Sequence, residues 1–152
     1  MLPNVLMSEV QATRKPDYEI APLLLNRWSP CSMTGEALSD EELFPLFEAA
    51  RWAPSSFNGQ LWRFIVGRHQ NADEFSKFLD LLVPGNRVWA QNAAVLIVVT
   101  SRTRFEYNNK PSITHAFDAG AAWENLALEA SRRELVAHGM EGFDYAQAKV
   151  EL

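Results

Sequence analysis

Apolar residues recur at helical spacing after Ser39, where Leu43, Leu46, Phe47 and Ala50 share one face. Ser39 with Glu42 three residues on has the form of a capping box, so a helix is expected from there. Pro45 lacks an amide proton and should kink that helix or delay its start. A second helical pattern runs from Asp73 to Leu82 and is stopped by Val83-Pro84-Gly85. The longest, from about Thr114 to Arg133, is apolar on two sides. Ala119, Ala122, Leu126 and Ala130 form one stripe, and Phe117, Ala121 and Leu128 form another. A helix apolar nearly all round belongs in an interior or between subunits.

Three short segments lack that period. Phe64-Ile65-Val66 reads as a strand before Gly67, and Leu135-Val136-Ala137 begins another. Ala94 to Thr100 is a continuous apolar run, the pattern of a strand buried on both faces. Asp17 can cap a short helix from Tyr18 towards Asn26, with Pro22 delaying its start. Residues 1–16 show no clear period and read as a loose arm, followed by one domain over residues 17–152. Thr103 to Ser112 reads as a polar loop. The mixed order of helices and strands favours α+β.

Composition narrows the classes of function. A domain of 152 residues buries roughly 70% of its unfolded surface, enough for a sizeable core. The net charge of -5 argues against nucleic acid as a partner, because phosphate binding draws on surplus lysine and arginine. One cysteine excludes an internal disulfide and fits a reducing, cytoplasmic setting. The longest apolar run, Ala93 to Val99, is far shorter than the roughly 20 residues that span a bilayer. Met1 to Lys15 lacks the basic and apolar regions of a secretory signal.

No nucleophile elbow, zinc-protease helix, paired-cysteine motif or phosphate-loop glycine pattern is present. His69, His115 and His138 are scattered without metal-ligand spacing, and Glu141 and Asp144 read as solvated loop acids. An unrelated hydrolase or metal enzyme therefore has no candidate residues, and a cofactor is expected to supply any reactivity. Two polar segments stand out. Ala49 to Trp62 crowds hydroxyls, carboxamides and an indole between a helix and a strand, which suits a polar planar ligand. Arg27 and Ser29 offer a guanidinium and a hydroxyl two residues apart, which suits a phosphate.

Together these segments resemble the FMN-dependent nitroreductase family. The family's R-x-S-x-R grips FMN, and the corresponding Arg27-Trp28-Ser29-Pro30-Cys31 implies that Arg27 and Ser29 bind the phosphate. Cys31 stands where much of the family has a cation near the flavin's pyrimidine edge. A cation there would favour the anionic reduced flavin by Coulomb attraction. The stretch Pro54-Ser55-Ser56-Phe57-Asn58-Gly59-Gln60-Leu61-Trp62 resembles the family's P-S-x-x-N-x-Q-P-W, which reaches FMN across a dimer interface. Pro54, Ser55, Asn58, Gln60 and Trp62 match, Ser56 adds a hydroxyl, and Leu61 replaces a proline. Asn86, in Gly85-Asn86-Arg87-Val88-Trp89, inherits a hydrogen bond to the pyrimidine edge, where a carboxamide can both donate and accept. Asp118, Gly120, Asn125 and Leu126 resemble the family's core helix. Met140 to Asp144 resembles the loop whose backbone approaches flavin N5, with Glu141 and Gly142 as backbone contacts.

The resemblance implies a three-layer α+β fold, a central and mostly antiparallel sheet flanked by helices, in an intertwined homodimer. Residues 17–152 would form its FMN-binding domain. The activity implied is hydride transfer from NADH or NADPH to a nitroaromatic, quinone or similar small-molecule acceptor by a ping-pong scheme. No catalytic side chain is assigned, because the chemistry lies on the flavin. The family's pattern continues beyond the position of Leu152, which implies a short C-terminus with fewer strands and an uncovered sheet edge. With Cys31, that motivates an alternative: a flavin-binding or structural dimer without reductase activity.

Overall fold

The computed structural model describes residues 5–152. The stretch expected as a loose arm contains a helix, α1 (Ser8–Thr13), whose Val10 is buried. Met7 N donates to Asn26 Oδ1 at 3.0 Å, and the Arg14 guanidinium donates to the carbonyls of Leu25 (2.7 Å) and Arg27 (2.9 Å). So short a helix draws its stability from such contacts, which leave no periodic trace in sequence. Residues 1–4 of the arm lie outside the described residues.

Helix α2 (Pro22–Asn26) starts at its proline, so Asp17 does not cap it. Helix α3 (Asp40–Arg51) begins where the capping box sets it, with Ser39 N donating to Glu42 Oε2 at 2.8 Å. It runs on through Pro45. The missing amide leaves only the carbonyl of exposed Glu41 without an intrahelical partner, and water can satisfy it there. A 3-10 turn over Ser56–Asn58 leads into β1 (Trp62–Arg68). This strand continues through Gly67 rather than ending before it. A Cβ at Gly67 would sit 2.5 Å from the Phe78 ring, so the glycine serves close helix–sheet packing.

Helix α4 (Ala72–Leu81) is capped by Asn71, whose Oδ1 accepts from Glu74 N at 3.4 Å. Where a stop was expected, Pro84 instead opens a further helix, α5 (Pro84–Ala90), because proline is pre-organised for the first helical position. Strand β2 (Val95–Ser101) pairs antiparallel with β1, Trp62 opposite Ser101 and Arg68 opposite Val95. Helix α6 (His115–Arg132) ends with Glu134 at φ 64, and Leu135 N donates back to Ala130 O at 2.9 Å. The last helix, α7 (Tyr145–Glu151), is capped by Asp144, whose Oδ1 accepts from Ala146 N and Gln147 N.

These elements form three layers. Leu43, Leu46 and Ala50 of α3 and Ala119, Ala122 and Leu126 of α6 pack on one sheet face, with Trp62, Phe64, Val66 and Val95. Phe75 and Phe78 of α4 cover the other face, with Ile65, Leu96 and Val98. The continuous apolar run of β2 is thus explained, since both of its faces meet a helix. On α6 the first apolar stripe is buried, whereas Phe117 of the second is 80% exposed. Leu135 to Ala137 corrects an expectation: the segment pairs with no strand. The left-handed turn at Glu134 redirects the chain, and the described sheet has two strands. Among the described residues no helix is long and apolar enough to cross a membrane.

Candidate functional site

Arg27 follows directly on α2, and the two-residue spacing places its Nη1 3.4 Å from Ser29 Oγ. Its Nε also lies 3.4 Å from Glu124 Oε1 on α6, so part of its charge is already matched. Ser29 and Cys31 are both exposed. Cys31 Sγ lies 4.0 Å from His138 Nδ1, which is itself 3.1 Å from the Pro30 carbonyl. The His138 ring packs on Trp89 of α5 with centroids 4.6 Å apart.

Asn86 lies on the same helix, one turn before Trp89. Its Nδ2 donates to Gly142 O at 3.1 Å, and that carbonyl also accepts from Val83 N at 3.0 Å. Its Oδ1 takes no hydrogen bond among the described residues. A Cβ at Gly142 would meet Asn86 Nδ2 at 2.7 Å and Val83 Cγ2 at 2.8 Å, so any larger residue must displace these side chains. Glu141 beside it is exposed, and its carbonyl accepts from Phe143 N. The chain therefore brings Cys31 towards the helix that carries Asn86, with His138 and Trp89 as the bridge, while Arg27 turns to Ser29 and to Glu124 of α6.

The segment Pro54 to Gln60 is organised separately. Pro54 and Asn58 are exposed, while Ser55, Ser56 and Gln60 are half-buried. Ser55 Oγ accepts from Gln60 N at 3.1 Å, and Gln60 Nε2 donates to the Arg51 carbonyl at 3.3 Å. Phe57, Asn58 and Gln60 all have positive φ, an unusual concentration of left-handed backbone in non-glycine residues. What holds it is Asp118, a buried carboxylate on α6 whose Oδ2 accepts from Ser56 N at 3.1 Å and from Thr114 Oγ1 at 3.3 Å. The Arg51 hydrogen bond, then that of Trp52, lowers the Glu48 carboxyl to about 2. Arg51 is thereby engaged at the helix end and is not a free anion ligand. Among the described residues no hydrogen bond joins this segment to Arg27, Cys31, Asn86 or Gly142.

Sequence reasoning overlooked three residues in this arrangement. Asp118 carries no assigned role in the core-helix motif, although an acid inside an apolar stripe is itself the signal of a buried polar anchor. His138 and Trp89 bridge segments distant in sequence, and no spacing rule could have paired them. Trp62, a matching motif position, belongs to the core at 7% exposure. The donor set fits an FMN of the kind the motifs imply. A guanidinium with a hydroxyl suits a dianionic phosphate, and a free carboxamide oxygen suits an imide N–H.

The family profile described as the nitroreductase family matches residues 24–83. A solved oxidoreductase containing FMN is 44% identical, with a TM-score of 0.80, over 86% of this chain and 67% of that one. An uncharacterized 15.4 kDa protein in the ask 5' region of Mycolicibacterium smegmatis is 38% identical over 89 residues. That match takes in 54% of this chain and 58% of the relative, so it spans little more than half of that protein. A Rhodopseudomonas palustris protein, whose name pairs NADH dehydrogenase with NAD(P)H nitroreductase, is 24% identical over 154 residues. It is matched over 90% of this chain and 78% of its own length. On the likeness of fold, the ordered motifs and the 44% identical relative, the chain belongs to the nitroreductase family.

Proposed function

We propose that the chain is an FMN-dependent oxidoreductase that draws electrons from NADH or NADPH and reduces a nitroaromatic, quinone or similar acceptor by a ping-pong scheme. The observation that most supports this reading is the Asn86–Gly142 hydrogen bond, which holds a carboxamide in place with its oxygen unengaged. The relatives point the same way, one an oxidoreductase containing FMN and one named for NAD(P)H nitroreductase activity. FMN, when bound, supplies reversible hydride acceptance, which no side chain of this site offers. Arg27 and Ser29, 3.4 Å apart, would hold the phosphate, Asn86 Oδ1 would accept from the pyrimidine edge, and the Glu141–Gly142 backbone would face the ring. Cys31, 4.0 Å from His138, would stand near that edge.

In this reading the protein works as a homodimer. The segment carrying Ser55, Ser56, Asn58 and Gln60 serves the site of the other subunit, in keeping with its separation from Arg27 and Asn86. Phe57 and Phe117, both about four-fifths exposed, and Ile113 gather near the Ser56–Asp118 link, an apolar patch suited to that contact. A single free cysteine suits the cytoplasm. The test is the visible spectrum of the protein with FMN, before and after anaerobic NADH or NADPH. Retained flavin that bleaches is the expected result, and no retained flavin refutes the reading.

Cys31 favours a second reading, a flavin-binding or structural dimer without reductase activity, since a thiol in place of a cation leaves an anionic reduced flavin without Coulomb support. Retained flavin that hydride donors cannot bleach is its signature. Separately, Glu124 competes with phosphate for the Arg27 guanidinium, so Glu124→Gln should tighten FMN binding under either reading.

A further inference from the structure

The loop between β2 and α6 reverses the charge balance of the chain around it. Over residues 102–112 it carries Arg102, Arg104 and Lys110 against Glu106 alone, in a protein of net charge -5. Its shape is fixed from within. Phe105 is buried, Phe105 N donates to Lys110 O at 3.0 Å, Asn109 N to Phe105 O at 2.9 Å, and Ser112 N to Thr103 O at 2.9 Å. Arg102, Arg104 and Lys110 stay exposed around this turn. Arg104 Nη1 donates to Asn109 O at 2.8 Å, which steadies the guanidinium. Arg63 on β1 joins the group: its Nη2 donates to Glu106 Oε1 at 2.8 Å, and Arg102 Nη1 donates to the same oxygen. One carboxylate thus draws two guanidiniums together and offsets the charge of only one. Exposed ion pairs of this kind contribute little to stability, so the fold gives no reason for the excess of cations.

The loop also abuts the Pro54–Gln60 segment. Arg63 Nη1 donates to Gln60 O at 3.0 Å, the Phe57 and Phe105 rings meet edge-on at 5.8 Å, and a Cβ at Gly59 would lie 3.1 Å from Phe105. We propose that Arg63, Arg102, Arg104 and Lys110 bind the 2′-phosphate of the electron donor, which makes that donor NADPH rather than NADH. The inference rests on the oxidoreductase reading above, which supplies a nicotinamide donor and gives the Pro54–Gln60 segment to the flavin site. The two donors differ only in this phosphomonoester, whose charge is about -1.5 to -2 near neutral pH. Converging guanidiniums suit it, because each can give two parallel N–H bonds to its oxygens, and a lysine adds a point charge. A ribose 2′-hydroxyl would instead call for a carboxylate free to accept its proton, and Glu106 is committed to two arginines. Exposed Tyr107, its ring 5.5 Å from that of Phe105, offers a flat face beside the cations on which an adenine can stack. The negative charge of the whole chain disfavours a long polyanion, whereas a small ligand meets only the local field within about one Debye length, roughly 8 Å.

The test is titration calorimetry on the full chain with adenosine 2′,5′-bisphosphate and with 5′-AMP, which lacks the 2′-phosphate. The bisphosphate should bind about tenfold more tightly or better, and that difference should shrink as salt is raised. Arg102→Gln and Arg104→Gln should each reduce the difference several-fold, while Arg104→Lys, which keeps the charge but not the fork, should retain part of it. With FMN bound, kcat/KM for NADPH should exceed that for NADH by a similar factor, and Arg104→Gln should lower the ratio. Equal affinity for the two nucleotides overturns the proposal, as does equal kcat/KM for the two donors. Flavin that bleaches with both donors alike leaves the oxidoreductase reading standing while this inference falls. A protein that retains no flavin sinks that reading instead, and the calorimetric comparison still decides the phosphate site.

Discussion

Replacing Gly142 by alanine tests whether it acts as one unit with Asn86. The added Cβ would sit 2.7 Å from Asn86 Nδ2 and 2.8 Å from Val83 Cγ2, both well inside contact distance. The carboxamide is the softer of the two neighbours, so it must swing away and give up its 3.1 Å bond to the Gly142 carbonyl. Losing that hydrogen bond costs about 1 kcal/mol, and overpacking adds about 1–2 kcal/mol, so Gly142→Ala should destabilise by about 2–3 kcal/mol. Asn86→Ala removes the same bond without the clash and leaves the carbonyl bonded to Val83 N, so about 1 kcal/mol is expected. Urea unfolding measures both, and quenching of FMN fluorescence measures affinity in parallel. Because both changes displace one carboxamide, the double variant should lose much less affinity than the sum of the single losses. Additive losses, or a Gly142→Ala protein as stable as the parent, would refute the reasoning.

Other consequences follow from the packing and the charges. Asp118→Ala should cost about 1–3 kcal/mol by leaving the Ser56 amide unpaired in a part-buried place, whereas Asp118→Asn, which keeps an acceptor, should cost less; denaturant midpoints distinguish the two. Gly67→Ala forces the Phe78 ring off β1 from a 2.5 Å approach, and thermal unfolding should register a loss of about 1–3 kcal/mol. Glu129 accepts from Arg132 at 2.7 and 2.6 Å and from Arg133 at 2.6 Å, and the Arg132 hydrogen bond, against some desolvation, holds its carboxyl below the usual range. A carboxyl lowered in the folded state stabilises fully above its unfolded pKa, and that stability is lost as pH falls through the folded value. Glu129→Gln should therefore be less stable than the parent at neutral pH and converge with it in acid; a constant gap across a pH series of unfolding curves would contradict this.

The helices of the core were legible because their signals are local. The Ser39–Glu42 box, the spacing of Leu43, Leu46 and Ala50, and the buried stripe of α6 are each set within a few turns of chain. The apolar run of β2 announced burial on both faces before any partner was known. Local signals also misled where proline carries two meanings. Pro84 reads as a stop but opens α5, and Pro45 reads as a kink or a delayed start yet sits within α3, where an exposed turn tolerates the missing bond.

The spacing of Arg27 and Ser29 marked an anion-binding pair, and the resemblance of the motifs pointed to Asn86 and Gly142. Tertiary structure decided what those residues do to one another. Asn86 and Gly142 are 56 positions apart, and Asp118 holds Ser56 from 62 positions away. Those contacts depend on how α5, α6 and the following loop dock, which the sum of packing terms fixes and no short window contains. The segment from Leu135 to Ala137 shows the same limit from the other side. Its composition suits a strand, yet pairing needs a neighbour's backbone, and the turn at Glu134 carries it to where none is offered.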